Sequence, residues 1–274
     1  MRRLILSMAV CILFSLMWQC ETFLDPELNN PIDSTSSDYV EPKTIILEGP
    51  DYNSVVNTDD VTFRWTGNET AHEYKYLFDN LEWSDWSTDT VAHFQYLDDD
   101  YHVFSVKARN SAKVEEDSIH ARIFRVDAVQ GPALRFYPRH VSVVQNEVFT
   151  VEIYAEEVTD MAGVYLEIPM NPEGLEYVSH MVYSSGDAFL AKNSDNVLSV
   201  EETDETNDRL KITLARVSGK APEVDGTGAL IQMIYRYTGT MDTQIEIPST
   251  CYYQNEAMEN IVFSELVECV VEKK

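Results

Sequence analysis

Hydrophobic and polar residues alternate along most of the chain, and the alternation is clearest in its second half. Over residues 148–156 every second residue is apolar, which puts Phe149 and Val151 on one face of a strand. Short runs of the same kind begin near Thr44 and are separated by turn residues. No long stretch has the period of a helix, so the pattern predicts an all-β protein.

The alternating runs form two groups, with a break at Gln130-Gly131-Pro132. Short strands at the spacing of a small sandwich occupy residues 43–128, and longer strands occupy residues 133–272. With 274 residues, of which 44% are hydrophobic, the chain can bury one large core or two modest ones. The break favours two domains.

Residues 1–20 have the features of an export signal, with a cationic start and an apolar run too short to span a membrane comfortably. The run ends at Cys20 and resembles a bacterial lipoprotein leader, in which this cysteine becomes the lipidated first residue. Because Trp18 and Gln19 are not small, cleavage by the ordinary signal peptidase is the alternative. Residues 21–42 are poor in apolar side chains and are predicted to form a flexible tether.

The formal charge of -27 at pH 7 excludes some partners. Such a chain is repelled by nucleic acid and by anionic lipid, so we expect no nucleic-acid partner and membrane attachment only through a lipid anchor. The leader and the charge together predict a location at the cell envelope or outside the cell. Within the folded part only Cys251 and Cys269 remain, and an exported protein can join them in a disulfide, with two buried free thiols as the alternative.

The first domain carries a recognisable strand pattern. Leu97 precedes a turn, and Tyr101 opens a strand of the form Tyr-x-Phe/Val-x-Val-x-Ala. This resembles fibronectin type III domains, and the resemblance implies an immunoglobulin-like sandwich in which the Tyr101 hydroxyl bonds to nearby backbone. The segment from Trp83 to Ser87 also spells a Trp-Ser-x-Trp-Ser box, for which we expect one packed and one partly exposed tryptophan.

The second domain has a longer series of ordered motifs. A Phe-Thr-Val strand at Phe149 is followed by Gly163-Val-Tyr-Leu-Glu-Ile and by an Asn171-Pro-Glu-Gly-Leu turn, and a Gly-x-Gly at Gly226 precedes a long apolar strand. This order resembles the cohesin family. The resemblance implies a nine-stranded jelly-roll sandwich that docks dockerin modules of polysaccharide-degrading enzymes, without a cofactor.

The resemblance also implies a partner-binding face on the strand from Gly163 to Ile168 and on its neighbours. Alternation turns five side chains of these strands toward solvent: Tyr165, Glu167, Arg209, Lys211 and Thr213. Arg216 follows just beyond them along the chain and completes the predicted face. The three cations could pair with acids of a partner. The alternative is a solvated edge whose cations pair across strands with groups such as Glu167.

Two further functions stay open beside docking. In one, the protein is a carbohydrate-binding surface lipoprotein whose aromatic side chains stack on sugar rings. The candidates are Tyr137, Tyr252, Tyr253, Trp83 and Trp86. A purely structural role in the envelope is the third possibility.

An enzyme is not expected. The sequence has no Gly-x-Ser-x-Gly, no phosphate-binding loop and no His-x-x-x-His, and its six histidines are scattered. The acidic cluster at residues 201–208 lacks the glycine and spacing of a calcium loop, so we expect a solvated turn and no metal.

Overall fold

The structure is a computed structural model that describes residues 30–79, 81–185, 188–191, 197–217 and 224–274. Within these ranges the chain forms twenty strands and a single 3-10 turn at Phe189–Ala191, which confirms the prediction of an all-β protein. None of the described residues belongs to a helix long and apolar enough to cross a membrane. The predicted export signal, Cys20 as its lipidation site, and residues 21–29 of the predicted tether lie outside the described residues.

Residues 30–42 do not behave as the predicted free tether. The buried side chain of Asn110 donates to the carbonyl oxygen of Ile32 at 3.0 Å, and Asn68 donates to that of Glu41 at 2.8 Å. The backbone N–H of Asp117 donates to the Glu41 carboxylate at 2.9 Å. The segment therefore lies against the first sandwich, because side chains of that sandwich satisfy its backbone carbonyls.

The first sandwich consists of two mainly antiparallel sheets, with strand orders β1-β3-β5 and β2-β7-β6-β4. Its strands are β1 (Thr44–Glu48), β2 (Ser54–Val56), β3 (Val61–Gly67), β4 (Glu73–Phe78), β5 (Val91–Phe94), β6 (Tyr101–Arg109) and β7 (His120–Val126). Alternate residues of β3 and β6 meet in the core, where the rings of Phe63 and Phe104 stack at 4.0 Å.

The alternation of β6 is shifted by one residue from the expected pattern. Tyr101 is 68% exposed, whereas His102, Phe104 and Val106 point into the core. A one-residue slip exchanges the two faces of a strand, so His102 takes the place predicted for the Tyr101 side chain. Its Nε2 lies 2.8 Å from the carbonyl oxygen of Asp98, the kind of bond to nearby backbone expected of the tyrosine hydroxyl.

The second sandwich has two five-stranded sheets, β12-β15-β10-β8-β19 and β13-β14-β11-β17-β18, and a small sheet β16-β20-β9. Its strands are β8 (Ala133–Tyr137), β9 (His140–Val143), β10 (Val148–Met161), β11 (Gly163–Pro169), β12 (Leu175–Val182), β13 (Val197–Asp204), β14 (Arg209–Arg216), β15 (Val224–Tyr237), β16 (Thr243–Ile245), β17 (Tyr252–Gln254), β18 (Asn260–Val262), β19 (Glu265–Val267) and β20 (Cys269–Lys273). The thirteen described segments exceed the nine predicted strands partly because short breaks separate β8 from β9 and β19 from β20.

One apolar core fills the space between the two five-stranded sheets. Val151 and Ile153 of β10 and Met233 of β15 come from one sheet, and Leu166 of β11 and Ile212 of β14 come from the other. All five side chains are fully buried. The inward residues of β11 and β14 are thus buried in the core, and the residues that alternate with them face outward.

Candidate partner-binding face

The outer surface of the sheet β13-β14-β11-β17-β18 carries a continuous row of side chains, one from each strand. Each member lies opposite the next in the strand register. We call it the central row, and its members are Val200, Thr213, Tyr165, Tyr252 and Val262.

Four of the five members of the central row are apolar or aromatic although the row faces outward, and the fifth is Thr213. Val200 is 57% exposed and Val262 is 68% exposed, and between them the rings of Tyr165 and Tyr252 stack at 5.3 Å. Leu198, two residues before Val200 on β13, is also 55% exposed. Exposed apolar side chains that adjoin one another over several strands are a feature of interaction surfaces rather than of ordinary solvated faces.

A charged row borders the central row on one side. Lys211 of β14 lies opposite Glu167 of β11 and Glu202 of β13. Its Nζ donates to Oδ2 of Asp204 at 2.7 Å, and Thr250 donates to the carboxylate of Glu167 at 2.5 Å. The hydrogen bond to Asp204 raises the pKa of Lys211 and lowers that of Asp204. Lys211 is therefore charged and held by a carboxylate of its own sheet.

The remaining predicted cations lie at opposite ends of β14. Arg209 pairs in register with Pro169 and lines a cavity of about 510 Å³ together with Glu173 and Glu246. Arg216 lies opposite Val197 at the other end of the strand. The structure thus brings Tyr165, Thr213, Glu167 and Lys211 together and places Arg209 at the rim, whereas Arg216 follows the alternation of the inward residues Leu210, Ile212 and Leu214 and is not part of this face.

Four members of this face were not predicted from the alternation: Leu198, Val200, Tyr252 and Val262. A signal for the first two was present, because the turn after Asp204 starts a hairpin in which Asp204 pairs with Arg209. Counting back along that hairpin puts Val200 opposite Thr213. Tyr252 and Val262 had no such local signal, since β17 joins β11 across about 90 residues of sequence.

The residues proposed to stack on sugars have varied environments. Tyr253 is only 2% exposed and packs on Phe263, so its ring is not available. Tyr137 tilts against Tyr154 at 5.5 Å. Trp83 and Trp86 are both half-buried, unlike the expected packed and exposed pair. The Lys75 amino group lies 5.3 and 4.5 Å from their ring centroids, so a cation already occupies their faces.

The predicted Cys251–Cys269 disulfide is not present, and both cysteines are buried free thiols. The reason lies in the strand order. Cys251 precedes β17, and its sulfur lies 3.3 Å from the backbone nitrogen of Glu167, whereas Cys269 pairs with Ile245 in the small third sheet. Burial raises the pKa of Cys251 to about 11 and that of Cys269 to about 12, so both stay protonated.

The acidic cluster at residues 201–208 forms the end of β13 and the turn into β14. Asp204 accepts the backbone N–H groups of Thr206 and Asn207 and the side chain of Asn207 as well as that of Lys211. Its oxygens are thereby committed to the hairpin. Over the described ranges no group of three or more His, Cys, Asp or Glu side chains is arranged to hold a metal ion.

Comparison with known proteins gives likenesses of fold alone. No family model matches the chain. No curated protein matches it either.

Among solved structures, a type II cohesin domain from the cellulosome of Acetivibrio cellulolyticus is similar at 18% identity, with a TM-score of 0.41 over 51% of this chain and 92% of that chain. A non-cellulosomal cohesin from the archaeon Archaeoglobus fulgidus is similar at 12% identity, with a TM-score of 0.38 over 52% and 88%. A carbohydrate-binding module of the β-sandwich superfamily has 12% identity and a TM-score of 0.27 over 73% and 97%. These structures include the family whose motifs the sequence resembles, and at such identity they assign no function to this chain.

Proposed function

We propose that the chain is a surface-displayed binding protein whose outer face, centred on Tyr165, docks a protein partner. The observation that carries the proposal is the central row, in which two valines, two tyrosines and one threonine cross five adjacent strands on the solvent side of the sheet. Two stacked tyrosines at its centre offer a large contact area with little side-chain entropy to lose on binding.

The arrangement has the anatomy of a protein interface. Its centre is apolar, and charged groups such as Glu167, Lys211 and Arg209 lie beside it or at its rim. Since Lys211 is already paired with Asp204, charge contributes mainly to orientation and encounter, and the apolar row contributes most of the affinity.

We propose a dockerin-like module as the partner, on the strength of the cohesin-like motif order of the sequence. Acidic side chains on such a partner would face Arg209 at one end of β14. In the same proposal residues 43–128 form a fibronectin-like spacer, residues 133–272 form the docking domain, and Cys20 anchors the exported protein through a lipid.

The proposal is tested by placing a charge in the central row. Val200→Glu and Thr213→Glu change exposed side chains, so the fold should be retained. Each variant would bury an unpaired carboxylate on docking, and we expect capture of dockerin-bearing proteins to weaken by at least about tenfold. Capture is measured by pull-down from the secreted proteins of the source organism and by titration with a purified dockerin.

Val148→Glu is the matched control, because Val148 is 48% exposed but lies on β10 in the opposite sheet. It should bind like the parent protein. Equal capture by the parent, Val200→Glu and Thr213→Glu proteins would exclude this face. A polysaccharide array run in parallel separates docking from direct sugar binding.

A further inference from the structure

A second cavity of about 610 Å³ lies on the opposite sheet of the same sandwich. It opens where β12 ends. β12 pairs with β15 only over Ile231–Tyr237, and the earlier part of β15 pairs with β10 alone among the described strands. The volume falls within the range of roughly 300–1,000 Å³ that is usual for small-molecule sites.

Small residues on β15 create the space. Gly228 and Ala229 form one side of the cavity, and Phe189 closes another. A Cβ atom on Gly228 would lie 2.5 Å from the Phe189 ring, so only glycine lets that ring pack down on the strand. The apolar part of the lining is thus shaped by backbone and an aromatic ring.

The polar part of the lining consists of oriented hydroxyl groups. Tyr183 donates its hydroxyl hydrogen to Glu152, and Gln232 lies 3.5 Å from the Tyr183 oxygen. Burial and the same carboxylate raise the pKa of both Tyr154 and Tyr183 to about 12. Both phenols therefore remain protonated. Because Glu152 takes the Tyr183 hydrogen and Gln232 donates weakly to the same oxygen, Tyr183 can meet a ligand only as a hydrogen-bond acceptor.

The charges around the cavity select against anions. None of the described lining residues is cationic. The nearby Arg135 is 4% exposed and is bound to the buried Glu156 at 2.6 Å, so its charge is already matched. Glu156 in turn accepts from Thr227 of the lining at 2.6 Å. Phosphates and acidic sugars would meet the field of Glu152 and of a chain with a net charge of -27.

We propose that this cavity is a binding site for one neutral sugar ring of a polysaccharide. A pyranose combines an apolar face, which suits Phe189 and Ala229, with several O–H donors, which suit the acceptor oxygen of Tyr183. The site lies on the sheet opposite to the central row, so sugar binding and partner docking can occur at once. This inference goes beyond the proposed docking and does not depend on it.

The test is titration calorimetry of the mature protein with neutral cellohexaose, xylohexaose and mannohexaose, beside trigalacturonic acid and n-hexylamine as charged probes. We expect binding of at least one neutral oligosaccharide and no binding of trigalacturonic acid, and n-hexylamine tests whether the acidic surroundings select a cation instead. Tyr183→Phe removes the acceptor oxygen, and Ala229→Leu adds bulk to the cavity. Each should weaken binding by about tenfold or more.

Ile119→Ala is the control, because Ile119 is exposed in the first sandwich, outside both the cavity and the central row, and its removal should leave sugar binding unchanged. Thermal unfolding of every variant verifies that the sandwich is intact. Absence of binding by all three neutral hexaoses at millimolar concentration, binding of n-hexylamine instead, or equal affinity of the parent and Tyr183→Phe proteins would each overturn the proposal. If dockerin capture failed while sugar binding was retained, the result would contradict the proposed docking function and leave the sugar site supported.

Discussion

At the residue scale, His102 shows how a buried polar side chain is satisfied inside an apolar core. Its Nδ1 lies 2.9 Å from the carboxylate of Asp79 and its Nε2 lies 2.8 Å from the carbonyl oxygen of Asp98. Both partners only accept hydrogen bonds, so the imidazolium, which donates from both nitrogens, fits best. Burial opposes the charge, but the bonds to Asp79 and Asp98 outweigh it and raise the pKa of His102.

Stability should therefore depend on the protonation of His102. A pKa that is raised on folding contributes stability in full below the unfolded value near 6.5, and this contribution is lost as the pH rises through the folded value. We expect the difference in unfolding free energy between the parent protein and His102→Gln to shrink between pH 6 and pH 9. Urea unfolding across this range measures it, and a difference that does not change with pH would contradict the assignment.

The His102 position also marks a limit of pattern reading. The apolar part of the motif in β6 is Phe104-x-Val106-x-Ala108, which puts the tyrosine position of the motif at His102, although Tyr101 is the more familiar residue for the corner. The burial of Phe104 and Val106 in the core fixes this register. For β11 and β14 no such ambiguity arose, because their inward residues are consistently aliphatic, and Tyr165, Glu167 and Thr213 lie on the outer face as predicted.

At the element scale, the proposed docking face depends on close pairing of β11 with β14. Gly163 lies opposite Ala215 at the start of β11. A Cβ atom on Gly163 would lie 2.8 Å from the carbonyl oxygen of Leu214, which is backbone and cannot turn away. The glycine of the Gly-Val-x-Leu-x-Ile motif thus permits the strand spacing that aligns Tyr165 with Thr213.

Gly163→Ala should accordingly force the two strands apart at this end. We expect a loss of about 1 to 3 kcal/mol in unfolding free energy, measured by urea denaturation, together with weaker partner capture. Gly226→Ala is the comparison, since no atom lies within 4 Å of its Cβ position and only its φ of 102° opposes the substitution. If Gly163→Ala proved as stable as the parent protein, the close-approach argument would fail.

At the scale of the whole molecule, the two sandwiches are joined by polar contacts beside a short connection. The Arg139 guanidinium lies 3.0 Å from the carboxylate of Asp59, and the Arg139 backbone N–H donates to Asp98 at 2.8 Å. The backbone N–H of Val129 donates to Asp99 at 2.9 Å. Acids of the first sandwich therefore satisfy donors of the second sandwich and of the connection, and these contacts hold the two sandwiches together.

Arg139→Ala tests this junction. The side chain is largely buried, and its removal leaves Asp59 without its cation, so we expect the junction to weaken by about 1 to 3 kcal/mol. Limited proteolysis within residues 127–132 should become faster, and small-angle scattering should show a larger radius of gyration. Arg64→Ala, which removes an exposed pair with Glu48, serves as control and should change neither.

The sequence by itself determined the all-β class, the break near Gly131 and the face on which most side chains of each long strand lie. These properties are local, because alternation with a period of two is present in the sequence of each strand by itself. Tertiary structure alone decided which strands are neighbours. The central row joins residues from Tyr165 to Val262, Cys251 lies beside β11 whereas Cys269 lies in the small third sheet, and Lys211 is paired with Asp204. Strand order and register depend on contacts between distant segments and on a shared core, which no single strand encodes.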